Sequence, residues 1–157
     1  MGIAIDIPGY GTLAVEHVVM DYNGTLAVDG RIAPGVSEAL GRLSGHLTLH
    51  VITADTFGLA AAELSGVDCR IRVLESGDHR QAKRDFVETL GSDSTAAIGN
   101  GRNDSMMLKA AALGIVVLLE EGAAMEAVTA ADILCPSIIS ALGLLENPMR
   151  LKATLRS

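Results

Sequence analysis

From residue 47 onward the chain repeats one pattern: a short apolar run, a polar turn, then a longer segment with helical spacing. The runs at 47–52, 69–74, 95–98, 115–119 and 133–134 read as strands, and the segments at 56–64, 78–90, 104–113 and 123–130 as helices. Continuously apolar strands need cover on both faces. The alternation therefore predicts an α/β fold, a three-layer Rossmann-like parallel sheet with helices on both faces, in a single domain over residues 1–157. An aliphatic chain with no Trp suits such layers.

The first 46 residues add two hairpins. Residues 3–7 alternate apolar and polar, Pro8-Gly9-Tyr10-Gly11 signals a turn, and 12–20 reads as a second strand running straight into Asp21. Val18-Val19-Met20 has the apolar continuity of a central strand. Beyond Asp21, Asp29-Gly30 between short extended arms favours a type I′ turn, and Pro34-Gly35 opens a helix to about Ser44. Helical segments from Ser137 finish the chain.

Charge and cysteine usage narrow the partners. A net charge of −7 without a basic run argues against nucleic acid. Cys69 and Cys135 lie far apart and outside any CxxC spacing, which reads as two reduced thiols. The apolar stretch at 110–119 is too short to span a bilayer, and no basic region opens the chain. A cytoplasmic protein that engages no membrane is expected.

Three polar clusters follow apolar strands: Asp21-Tyr22-Asn23-Gly24-Thr25, Thr53-Ala54-Asp55, and Gly99-Asn100-Gly101-Arg102-Asn103-Asp104. Singly, each has a plain reading. The first could be an Asn-Gly turn, Thr53 a helix cap, and the third a loop before a helix. Together they fall where open α/β sheets bind ligands, at the carboxyl ends of the strands.

In order and spacing these clusters resemble the motifs of the haloacid-dehalogenase superfamily. They are most similar to the phosphorylation domain of P-type ATPases and its soluble relatives. The strand plus Asp-x-Asp-Gly-Thr motif matches Val18 to Leu26, and strand plus Thr matches Val51-Ile52-Thr53. The Gly-Asp-Gly-x-Asn-Asp motif matches residues 99–104, and Lys83, one of three lysines, is the only one between the second and fourth motifs. The resemblance implies a Mg²⁺-dependent phosphatase or phosphotransferase with Asp21 as nucleophile. It implies Thr53 and Lys83 as phosphoryl partners, and Gly24, Thr25, Ala54 and Asn103 lining the substrate. It implies a metal set of Asp21, the Asn23 carbonyl, Asn100 and Asp104. The substrate class is a small phosphorylated compound or a phosphoprotein. Neither cap position has room for an inserted domain, so the site is expected to be open unless an oligomer, built through the N-terminal hairpin, closes it.

Two departures qualify this. Asn23 stands where the phosphatases have the Asp that protonates the leaving group and activates water, a role worth about 10²–10⁴ in rate. Asn100 stands where a carboxylate usually ligates the metal, so weak magnesium affinity is expected. Slow dephosphorylation follows, or alternatively a non-catalytic phosphate-binding or regulatory module. Two other classes fit less well. A response-regulator receiver needs an acidic pair on its first strand, and only Asp6 and Glu16 precede Asp21. A dinucleotide fingerprint would need Gly at position 104.

Overall fold

The computed structural model describes residues 2–54 and 58–157. In chain order the strands are β1 (Ile3–Ile7), β2 (Gly11–Val15), β3 (His17–Asp21), β4 (Ala27–Val28), β5 (Arg31–Ile32), β6 (Thr48–Thr53), β7 (Arg70–Val73), β8 (Thr95–Gly99), β9 (Leu113–Val117) and β10 (Ile133–Cys135). The helices are α1 (Val36–Leu43), α2 (Leu59–Glu63), α3 (His79–Leu90), α4 (Ser105–Ala110), α5 (Met125–Ala130), α6 (Ile138–Glu146) and α7 (Pro148–Leu155).

Six strands form one wholly parallel sheet in the order β10-β9-β8-β3-β6-β7. Its two faces sort by residue parity, as the pleat requires. Val18, Met20, Val51 and Ile98 pack with Leu40 of α1 and Leu142 of α6, while Val19, Ile52, Ala97 and Val116 pack with Val87 of α3, Met107 of α4 and Ala127 of α5. Each fully buried Leu, Ile or Val contributes roughly 1.5–3 kcal/mol, so the two layers anchor the sheet. Gly114 has no side chain because a Cβ there would run into the Leu108 carbonyl, where α4 lies close over β9.

The topology places the site. The chain leaves β3 outward through β6 and β7, then returns to β8 on the other flank of β3. That reversal opens a crevice beyond the carboxyl ends of β3 and β8. Register aligns the ends: Asp21 pairs with Ile52, and Met20 with both Val51 and Ile98. Asp21, Thr53 and the loop after Gly99 therefore share one edge.

Two sequence expectations are corrected. Residues 12–20 are not one strand. The amide of Glu16 donates to the Ser94 carbonyl (2.8 Å) and its carbonyl accepts from the Thr48 amide (2.9 Å), so the chain breaks there. The β1–β2 hairpin then forms its own two-stranded sheet. The 104–113 helix stops at Ala110, because Leu113 already belongs to β9. The helix expected over 56–64 is observed as α2, with residues 55–57, and so Asp55, lying outside the described residues.

The β4–β5 hairpin has the expected turn, with positive φ at both Asp29 (51°) and Gly30 (82°). The buried Tyr22 hydroxyl ties it down by donating to the Gly30 carbonyl at 2.7 Å. Among the described residues no cap is present: only this hairpin lies between β3 and α1, and only residues 74–78 lie between β7 and α3. No helix among them is long and apolar enough to cross a membrane.

Candidate active site

The turn after β3 is wound tightly on one carbonyl. The amides of Thr25, Leu26 and Ala27 all point at the Tyr22 carbonyl (3.2, 2.9 and 3.0 Å), and the Gly24 amide donates to the Ala27 carbonyl at 2.7 Å. Gly24 adopts φ 79°, and the Asn100 Cγ would sit 2.8 Å from any Cβ added to it. Both the dihedral and the space demand glycine.

On the opposite wall, Asp78 caps α3 by accepting from the amides of Arg80 and Gln81. Lys83 follows one turn later and is 2% exposed. Its Nζ donates to Asp21 Oδ1 (3.0 Å), Asn103 Oδ1 (3.2 Å) and Asp104 Oδ1 (2.7 Å). The second Asp104 oxygen accepts from the amides of Asn100 (3.0 Å) and Gly101 (2.9 Å). Asp104 is wholly buried, and Gly99 makes room for it. A buried ammonium persists only when compensated in this way.

Burial pushes the Asp21 carboxyl up to about 7, the Asp104 carboxylate beside it adds to the rise, and Lys83 opposes it. For Lys83, burial disfavours the charge, but Asp21 and Asp104 outweigh it and the net shift is upward. Ionised Asp21 is thus held at high energy next to a permanent cation, a setting suited to a nucleophile.

The remaining residues fall around this core. Thr53 is buried at the end of β6, beside Asp21 across the β3–β6 pair, with its carbonyl bonded to the Leu74 amide. Asn23 and Ala54 are exposed at the rim. Thr25 and Asn100 are committed to each other. The Thr25 hydroxyl donates to Asn100 Oδ1 (3.2 Å), while Asn100 Nδ2 donates to the Gly122 carbonyl (3.0 Å). The Asn100 carbonyl also accepts from the Ala124 amide at 2.8 Å. Asn100 therefore clamps the 118–124 loop to the turn after Asp21. Sequence reasoning missed this, since nothing local marks Gly122, 22 residues away, as its partner.

The clamp carries a prediction. Asn100→Asp replaces the Nδ2 donor by a second acceptor facing the Gly122 carbonyl. It is expected to destabilise the fold by about 1–3 kcal/mol at neutral pH in urea titration. A variant as stable as the parent would remove the clamp.

The oxygen-only donors suit magnesium in kind: the Asp21 carboxylate, the Asn23 carbonyl and the Asn100 amide oxygen, with Asp104 behind them. Yet Asp104 is already engaged by Lys83 and two amides, and no group of three or more His, Cys, Asp or Glu side chains converges among the described residues.

No family model matches the chain. An uncharacterized protein of Methanocaldococcus jannaschii is 43% identical over 84 residues, covering 51% of this chain and 90% of that protein. The chain belongs to the same family as this archaeal protein. Among solved structures, the 3-deoxy-D-manno-octulosonate 8-phosphate phosphatase of Moraxella catarrhalis, in complex with magnesium, phosphate and KDO, is similar at TM-score 0.70 and 16% identity. The match covers 90% of this chain and 94% of that one. The cobalt-bound enzyme of Haemophilus influenzae follows at TM-score 0.68, 12% identity, and coverage of 90% and 91%. A phosphoserine phosphatase in apo form gives TM-score 0.64, 17% identity, and coverage of 83% and 99%. The chain has the haloacid-dehalogenase-like fold, with no cap among the described residues. In this fold the Asp21 turn, Thr53 and residues 99–104 lie at the carboxyl edge of the sheet, and Lys83 reaches Asp21, Asn103 and Asp104 from α3.

Proposed function

We propose that the chain is a magnesium-dependent phosphatase or phosphotransferase that works through phosphoryl-Asp21 and forms this intermediate faster than it hydrolyses it. The observation that carries the reading is the Lys83 ammonium, buried and bonded to Asp21, Asn103 and Asp104 at once. The phosphatase neighbours support it by analogy of fold, as does the magnesium and phosphate held by one of them.

An Asp21 oxygen attacks phosphorus while the bond from phosphorus to the leaving oxygen breaks. Lys83 offsets charge on nucleophile and phosphoryl group, and Thr53 supplies a hydroxyl. Asp21, the Asn23 carbonyl and the Asn100 amide oxygen would hold magnesium, which would offset charge during phosphoryl transfer. The exposed Asn23 can hydrogen-bond to the leaving oxygen but transfers no proton. An acyl phosphate, which leaves as a stable carboxylate, suits such a site better than an alkyl ester. The two free thiols, Cys69 and Cys135, fit a reducing compartment, and we place the protein in the cytoplasm.

The test is phosphate release from acetyl phosphate with magnesium, for the parent and for Asn23→Asp. The variant is expected to hydrolyse the phosphoenzyme faster, by up to about 10²–10⁴-fold. An unchanged rate would show that water activation is not what limits turnover. The clamped Asn100 favours a second reading, a phosphate-binding module without turnover. An inactive parent, with activity gained only in Asn23→Asp, would select it.

A further inference from the structure

Beyond the Asn100 clamp lies a cleft of about 410 Å³ that the phosphoryl chemistry does not use. Val28 and Ala33 line it from the β4–β5 hairpin, Leu118 and Leu119 from the loop after β9, and Ile138 and Ile139 from α6. Hydrogen bonds tie the first two walls to the site. The hairpin springs from the turn after Asp21. There the Gly24 amide donates to the carbonyl of Ala27, the neighbour of Val28 (2.7 Å), and the Ala33 amide to the Leu26 carbonyl (3.1 Å). The loop turns at Leu119, whose carbonyl accepts from the Gly122 amide at 2.9 Å. The Gly122 carbonyl accepts from Asn100 Nδ2 (3.0 Å), and Asn100 Oδ1 accepts from the Thr25 hydroxyl (3.2 Å). The chain Thr25–Asn100–Gly122 thus joins the two walls. Asn100 also packs so closely on Gly24 that a Cβ there has no room.

Leu118 and Ile139 are 49% and 42% exposed, and both line this one cleft. Single exposed aliphatics are ordinary, but several that converge on one cavity of ligand size are not. Charge decides the occupant. Glu120 is the charged side chain of the lining, and among the described residues no cation joins it. A second phosphate or carboxylate would face that carboxylate unpaired, whereas an uncharged aliphatic chain would gain by leaving water. We infer that the cleft takes the aliphatic chain of an acyl phosphate, so that the substrate is an acyl phosphate longer than acetyl phosphate. This rests on the phosphotransferase reading. As Asp21 attacks phosphorus, the acyl carboxylate leaves with the electron pair of the broken P–O bond. It needs no proton, in keeping with the amide at Asn23.

The test compares acetyl phosphate with butyryl phosphate, whose carboxylates are nearly equal leaving groups. Phosphoryl-Asp21 is measured after acid quench, with magnesium and with each donor well below saturation. Burying two further methylenes should make butyryl phosphate react about tenfold faster. Leu118→Asp with Ile139→Asp should bring the ratio near one. Both side chains are exposed, so the fold should tolerate the charges, which thermal melting checks. Leu118→Ala with Ile139→Ala, a milder form of the same test, should lower the ratio part of the way. A ratio of one in the parent, while phosphoryl-Asp21 still forms, overturns the acyl subsite alone. A ratio that survives both pairs of substitutions overturns it too. Failure of either donor to phosphorylate Asp21 overturns the phosphotransferase reading and this inference with it.

Discussion

Asp21→Asn is expected to abolish catalysis and raise stability at the same time. Phosphate release from acetyl phosphate should fall by at least about 10³-fold, because an amide cannot form the covalent intermediate. In magnesium-free buffer the same variant should melt above the parent at pH 8. The carboxyl titrates near 3.8 when unfolded and at about 7 when folded, with burial and Asp104 as the causes. Folding therefore takes up a proton between those values. The stability this supplies is present below pH 3.8 and is lost as pH rises through 7. The parent should thus weaken from pH 5 to pH 8, and Asp21→Asn should weaken less. Thermal melting at both pH values, paired with the phosphate assay, checks both halves. A variant less stable than the parent at pH 8 would mean that Asp21 braces the fold and is not held under electrostatic strain.

Lys83→Met should show the reverse pattern. It keeps the length of the side chain but leaves Asp21 and Asp104 facing each other without a cation. Breaking one side of a buried ion pair costs about 3–5 kcal/mol, and that loss should appear in urea titration at pH 8. At pH 5 Asp21 is protonated and the repulsion with Asp104 is relieved, so part of the stability should return. Phosphoryl transfer should fall about 10²–10³-fold at either pH, since a charge aimed at the phosphoryl group is gone. Equal destabilisation at both pH values would assign Lys83 a packing role.

Much of this arrangement could be read from the sequence, for a physical reason. Parallel strands buried on both faces are continuous apolar runs, so Val18-Val19-Met20 and 95–98 announced themselves, and whatever follows such strands lies at one edge. Lys83 was legible because lysine is so scarce in this chain. What escaped was set by distant partners. The break at Glu16 depends on Ser94 and Thr48. The end of α4 depends on Leu113 joining the sheet. Asn100 looked like a weakened metal ligand, and only the fold shows its amide gripping Gly122 and Thr25.

These particulars meet in the claim that Asp21 accepts a phosphoryl group. The protein should be incubated with acetyl phosphate and magnesium, quenched in acid, digested, and analysed by peptide mass spectrometry. One added phosphoryl group is expected on the peptide containing Asp21, removed by hydroxylamine and absent from Asp21→Asn. An unmodified Asp21 peptide while phosphate is being released, or a phosphoryl group on any other residue, would contradict it.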